Sequence, residues 1–240
     1  MQKPIVYLIP SLLDENAIHT IPAYVANCII NCQVFFVENE RSSRRFIKQL
    51  CKTYLPAYEM VIDNYEWFTI HKAEEEAVTV FKQKLRDGNN IGIISEAGCP
   101  GVADPGQLLV AAAQEMSAEI KPLPGPSSIL LALMASGMNG QQFQFAGYLP
   151  IDHQKRMHTI KELEAESRKK NCTQVFIETP YRNNQLLEVL LKTCNPATRL
   201  CIAADITGKT EWIKTKSILE WKKEKTDLHK RPAIFLLLAH

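Results

Sequence analysis

The chain has 240 residues, 46% of them hydrophobic and 22% charged, and a net charge of +2 at neutral pH. That is enough apolar material for one large domain or two small ones. No apolar run approaches the roughly 18–20 residues of a membrane-spanning helix, and a charge balance this close to zero excludes a surface that attracts polyanions everywhere.

The opening residues, MQKPIVYLIPSLLDEN, hold too short an apolar stretch for a signal peptide and read as a first strand at 5–9, so a cytoplasmic protein is expected. Residues 17–31 follow as a helix with Ile18, Ile21, Val25 and Ile29 on one face. A second strand is expected at 33–37. The helix expected at 41–54 turns Phe46, Ile47, Leu50 and Tyr54 inward and Arg44, Arg45, Lys48 and Lys52 outward. Residues 58–62 read as a short strand, and 73–86 as a helix with Ala77, Phe81 and Leu85 at fourfold spacing, stopped by Asp87-Gly88. The aromatics Tyr65, Trp67 and Phe68 between them suit a core or a dimer surface, with base stacking as the alternative. Then come a strand at 91–95, a helix at 107–117 and a strand at 119–123. This βαβα series predicts a largely parallel sheet with helices on both faces.

KPLPGPSS at 121–128 is a stiff crossing. Beyond it, helices at 127–136, 153–168 and 182–193 and strands at 143–148, 173–178, 198–204 and 233–238 suggest a mixed sheet. Two α/β domains are therefore expected, 1–121 and 122–240, with a ligand cleft between them. From 209 to 231, eight Lys/Arg stand against four acids. This stretch has the composition of a solvated Lys-rich helix and loop, able to touch phosphates. Seven cysteines (28, 32, 51, 99, 172, 194 and 201) form no C-x-x-C pair, and the six histidines show no metal spacing. Reduced thiols are expected rather than a disulfide framework or a metal centre.

The densest chemical signal is IGIISEAGCPGVADPG at 91–106. An apolar strand runs straight into a connection with three glycines, two prolines and the carboxylates Glu96 and Asp104. Glycine admits close approach of backbone to a ligand, and proline stiffens an irregular loop. In open α/β sheets ligands bind beyond the carboxyl ends of strands, so a small molecule is expected here.

Taken in order, the segments YLIPSLL (7–13), Glu38-Asn39-Glu40-Arg41, SEAGCPGVADPG (95–106), LPGPSS (123–128), FAGYLP (145–150), FIETPYR (176–182) and AADITGK (203–209) carry a resemblance. The chain resembles the tetrapyrrole methylase superfamily, the class III fold of S-adenosylmethionine (SAM)-dependent methyltransferases. Within it, the chain is most similar to the branch that methylates a ribose 2′-oxygen of small-subunit ribosomal RNA. It departs from that branch in four places. The first loop, Pro10 to Asn16, lacks a glycine, Asn39 replaces an acid, Ala204-Asp205-Ile206-Thr207-Gly208 replaces an R-E-L-T-K element, and Lys230-Arg231-Pro232 replaces K-G-E.

The resemblance implies SAM as cofactor, ribosomal RNA of the small subunit as partner, and a homodimer away from membranes. Carried over position by position, it implies cofactor contacts from Leu13, Glu96, Gly98, Cys99, Val102, Ser128, Ile129, Ile177, Ala204 and Ala233. It places Glu38, Glu178, Arg182 and Asp205 in catalytic or acceptor-side roles, with Glu40 and Arg41 beside them. Arg41, Arg44 and Arg182 are candidates to hold phosphates, because a guanidinium grips them with two parallel bonds. Methylation of a small corrin-type acceptor, and a non-catalytic SAM-fold module that binds RNA or protein, are the alternatives.

Overall fold

The computed structural model describes residues 3–70 and 74–240. They form two compact units that divide between Ser127 and Ser128. Among the described residues no helix is long and apolar enough to cross a membrane.

The first unit contains strands β1 (Ile5–Ile9), β2 (Val34–Val37), β3 (Glu66–Thr69), β4 (Ile91–Ile94) and β5 (Glu119–Pro122), and helices α1 (Tyr24–Ile30), α2 (Glu40–Tyr54), α3 (Glu74–Arg86) and α4 (Gln107–Glu115). The sheet is parallel throughout, in the order β3-β2-β4-β1-β5. A parallel sheet needs cover on both faces, and the central strands are accordingly apolar at every position: β2 and β4 are buried along their full length. Helices α1 and α2 close one face over Ile9, Phe35, Val37 and Ile94. Helices α3 and α4 close the other over Val6, Phe36, Ile91 and Ile93. Gly92 lets the Phe35 ring lie against the backbone of β4, since a Cβ added there would stand 2.6 Å from that ring and 2.8 Å from Ile9 Cδ1.

Two expectations change in this unit. The helix at 17–31 is broken into a single 3₁₀ turn, Ile18–Thr20, and α1. The cause is Pro22, which drives the preceding Ile21 into the extended region at ψ 123. No strand forms at 58–62. A 3₁₀ turn at Ile62–Asn64 precedes the true edge strand, β3. Trp67 and Phe68 of β3 stack on Phe35 and Phe36 with ring centroids 4.8 and 5.1 Å apart, and Tyr65 tilts against Phe35, so all three aromatics belong to the core. Residue 73, expected to open the next helix, lies outside the described residues.

The second unit contains α5 (Ser128–Ser136), β6 (Phe143–Tyr148), α6 (His153–Lys170), β7 (Thr173–Ile177), α7 (Asn183–Thr193), β8 (Arg199–Ala204), β9 (Trp212–Ser217), α8 (Ile218–Trp221) and β10 (Ala233–Leu238). The sheet is mixed, ordered β6-β7-β10-β8-β9, with β6 and β7 parallel and the other pairs antiparallel. Leu163, Leu186, Leu190 and Trp221 from α6, α7 and α8 fill one face against Phe176, Ile202, Phe235 and Leu237. Helix α5 packs against β8, β9 and β10. Strand β9 lies where the composition suggested only a solvated helix and loop. It is an edge strand, and the Lys214/Lys216 alternation that hid it is how an edge is kept from pairing with other chains. A capping box between Ser217 and Glu220 then opens α8, and the buried Trp221 indole donates to Leu200 O at 2.8 Å.

Candidate functional site

In the first unit β1 and β4 are neighbours, yet the chain leaves β1 toward the α1/α2 face and β4 toward the α3/α4 face. Their carboxyl ends therefore part, which is where open α/β sheets bind ligands. The parting is bridged: Ser11 N donates to Gly98 O at 2.7 Å, Gly98 N donates to Ser11 O at 3.2 Å, and Ser11 Oγ donates to Ser95 O at 2.7 Å. Gly98 holds φ at +74, and a Cβ there would stand 3.6 Å from both Leu13 Cδ2 and Pro126 O. Glycine thus both permits the turn and leaves the notch open. The LPGP crossing lies closer still to the first loop: a Cβ on Gly125 would overlap Pro10 Cβ at 2.2 Å. In the first loop, an Asx turn takes the place of the absent glycine, with Asn16 N donating to Asp14 Oδ1 at 2.9 Å. Beside it a cavity of about 370 Å³ is lined by Leu12, Leu13, Ser42, Arg45, Phe46 and Glu96, among others.

Three carboxylates gather at this edge. Glu38 Oε2 accepts from Glu96 N at 2.9 Å, and Glu96 Oε1 accepts from the Ser42 hydroxyl. Asp104 is pushed up to about 6 by burial and then by Glu38 and Glu96, against an opposing hydrogen bond from Ser95. Asn39 caps α2, its Oδ1 accepting from Arg41 N at 3.0 Å and Ser42 N at 3.3 Å, so the neutral replacement keeps the cap that an aspartate would form. Glu40 pairs with Arg44 at 2.8 Å. Arg44 also pairs with Asp63 at 3.1 Å and lies over Trp67, which commits it to the fold. Arg41 is exposed and, among the described residues, holds no ion pair. Val102 is half exposed, and burial raises the Cys99 thiol.

In the second unit the expected residues meet at one end of the sheet. Ile177 and Ala204 close β7 and β8, and Ala233 opens β10, in the antiparallel registers Ile177↔Ile234 and Ala204↔Ala233. Ser128 and Ile129 open α5. Glu178 follows Ile177, and its side chain is only 1% exposed. Its Oε1 accepts from Thr179 N at 2.7 Å and from Arg182 Nε and Nη2 at 3.0 and 2.7 Å. Among the described residues its Oε2 has no hydrogen-bond partner, and it stands 3.6 Å from Arg156 Nη2. Sequence reasoning missed Arg156, which also donates to Pro150 O and Ile151 O and so fastens the FAGYLP segment to this carboxylate. A buried arginine inside an otherwise polar helix left no mark in the spacing. Asp205 Oδ2 accepts from Arg231 Nε at 2.7 Å and from Thr210 Oγ1 at 2.9 Å.

A profile of the tetrapyrrole (corrin/porphyrin) methylases matches residues 19–220. The chain is 31% identical over 173 residues, 71% of its length and 59% of the relative's, to "Ribosomal RNA small subunit methyltransferase I" of Escherichia coli O157:H7. It is 34% identical over 158 residues, 65% of its length and 54% of the relative's, to the protein of the same name in Buchnera aphidicola subsp. Schizaphis graminum. The matches thus span a little over half the length of these curated relatives. Among solved structures, diphthine synthase superposes with a TM-score of 0.66 at 14% identity, over 98% of this chain and 89% of that one, a likeness of fold. A parallel sheet followed by a mixed one, the loops at their carboxyl ends and a profile match across most of the sequence agree: the chain belongs to the tetrapyrrole (corrin/porphyrin) methylase family.

Proposed function

We propose that this chain is a SAM-dependent methyltransferase that modifies small-subunit ribosomal RNA at a ribose 2′-hydroxyl. The observation that carries the reading is its likeness, over most of its own length, to relatives bearing a ribosomal RNA methyltransferase name. Its residues suit the cofactor: a side chain would fill the Gly98 notch, and Glu178 Oε2 is a buried acceptor atom with no hydrogen-bond partner among the described residues. Leu13, Glu96, Gly98, Cys99 and Val102 of the first unit would hold it, with Ser128, Ile129, Ile177, Ala204 and Ala233 of the second. Bound SAM supplies a methyl group on a sulfonium, already activated for displacement.

What the chain must add is alignment of the acceptor oxygen and exclusion of water, since proximity and orientation alone supply large rate gains. Glu38 fixes the backbone of Glu96. Arg41, exposed and without an ion pair among the described residues, is available for an acceptor phosphate. Glu178 with Arg182, and Asp205 with Arg231, enter as braced charge pairs that position the sheet end beside them. A homodimer in the cytoplasm completes the proposal, with Leu130 and Met134, an exposed pair one helical turn apart on α5, as apolar surface for the second copy.

Two measurements test it. Titration calorimetry with S-adenosylhomocysteine should give saturable heat. Tritiated methyl from SAM should pass to small ribosomal subunits lacking the mark and appear, after alkaline hydrolysis, in a resistant dinucleotide, because a 2′-O-methyl group blocks cleavage. Absence of binding, or label only in bases, overturns the reading.

A further inference from the structure

One excursion of the second unit carries a surplus of positive charge. Residues 209–231 hold eight Lys/Arg and four acids, while the rest of the chain holds 20 Lys/Arg against 22 Asp/Glu. The stretch thus carries a surplus of four, against a deficit of two over the rest of the chain. In the structure the excursion leaves the sheet after β8, runs along the edge as β9, turns through α8 and returns to β10. Arg231 closes it by pairing with Asp205 at 2.7 Å and donating to Thr210 O at 2.8 Å.

The acids inside the excursion are occupied locally. Glu211 accepts from Thr207 N, Glu220 completes the capping box, Glu224 pairs with Lys216, and Asp227 accepts from Asn184 Nδ2 and His229 N. Lys209, Lys214, Lys222, Lys223, Lys225 and Lys230 are exposed and, among the described residues, none lies within ion-pair distance of a carboxylate. Lys214 and Arg231 flank the half-buried Trp212 ring at 5.6 and 5.9 Å, which holds two of the cations on one face of the edge strand.

We propose that the β9–α8 excursion is an RNA-backbone clamp, a surface that engages consecutive phosphates and leads the strand to the sheet end bearing Ala204 and Ala233. The proposal rests on the reading of the chain as an RNA methyltransferase. Exposed ammonium groups on long flexible side chains suit sequence-independent phosphate contact, and the adjoining Asp205–Arg231 pair ties the clamp to that end of the sheet.

The test compares the wild-type protein with a quadruple variant, Lys214→Gln, Lys222→Gln, Lys223→Gln and Lys225→Gln. A control variant carries Lys155→Gln, Lys161→Gln, Lys169→Gln and Lys192→Gln, four exposed lysines of α6 and α7. Thermal melting and S-adenosylhomocysteine titration establish that each is folded. Binding to naked small-subunit ribosomal RNA is measured from 50 to 200 mM KCl. Each lost phosphate contact lowers the log–log salt slope by roughly 0.7–0.9. The first variant should therefore lose about three units of slope and bind on the order of tenfold or more weakly at 100 mM, while the control stays within about twofold of wild type. An unchanged slope in the first variant, or equal losses in both variants, overturns the clamp. So does loss by the first variant of binding to vesicles containing anionic lipid, with RNA binding intact. RNA binding that depends on these lysines, without methyl transfer to ribosomal RNA, would uphold the clamp and sink the methyltransferase reading. Methyl transfer with an unchanged RNA KM in the first variant would do the reverse.

Discussion

Asp104→Asn removes one of three carboxylates that crowd the carboxyl ends of β2 and β4. Burial, Glu38 and Glu96 raise the Asp104 carboxyl from 3.8 to about 6. The folded-state value lies above the unfolded one, so folding is favoured by protonation. The contribution is fully present below about pH 4 and is lost as pH rises through about 6. A shift of about two units corresponds to roughly 3 kcal/mol at 1.36 kcal/mol per unit. Asp104 is only partly buried, and solvent screening reduces that to about 1 kcal/mol. Asparagine keeps the shape and carries no charge to desolvate. The variant should therefore be more stable than wild type by about 1 kcal/mol at pH 8, with the gain vanishing by pH 4. Urea unfolding at pH 4, 6 and 8 with matched m-values reads this directly. A difference between the two proteins that is the same at every pH would refute the argument that the ionised carboxylate is the source of the strain.

Gly92→Ala forces a methyl into the Phe35 ring and should cost about 1–3 kcal/mol in chemical denaturation, part of it recovered by Phe35→Leu in the same chain. Glu178→Ala leaves the Arg156 guanidinium, 5% exposed, without a counter-ion. A loss of about 3–5 kcal/mol is expected, and Glu178→Gln, which keeps an acceptor for Arg182, should lose clearly less in the same thermal melts. Asn39→Ala removes the α2 cap and should cost about 1 kcal/mol, whereas Asn39→Asp should stay within about 0.5 kcal/mol of wild type.

The parallel sheet was legible because its central strands must be apolar on both sides, and VFFV and IGII carry that mark without help from context. The loop after β4 was legible for a related reason: Gly98, Gly101 and Gly106 hold positive φ, a conformation that side chains rarely adopt. What escaped depends on neighbours distant in sequence. The edge strand β3 is short and exposed at both ends, so nothing in its own residues sets it apart from the loop before it. Strand β9 was masked by lysines that an edge strand needs. The break at Pro22 was written in the sequence, but Ile21, Val25 and Ile29 keep one buried face across it, and the periodicity ran over the proline. The pairing of Asp205 with Arg231, 26 residues on, and the attachment of Arg156 to Glu178 are products of the fold, invisible to spacing.

The double backbone bond between Ser11 and Gly98 has a consequence for how this crevice can change over time. Two loops that depart to opposite sides of a sheet would ordinarily be free to splay, and here a peptide-to-peptide strut holds them at a fixed gauge. A mouth braced in this way is retuned by exchanging the side chains around it rather than by hinging. Ligand preference can then drift from one descendant to another while the braced backbone around the crevice stays put.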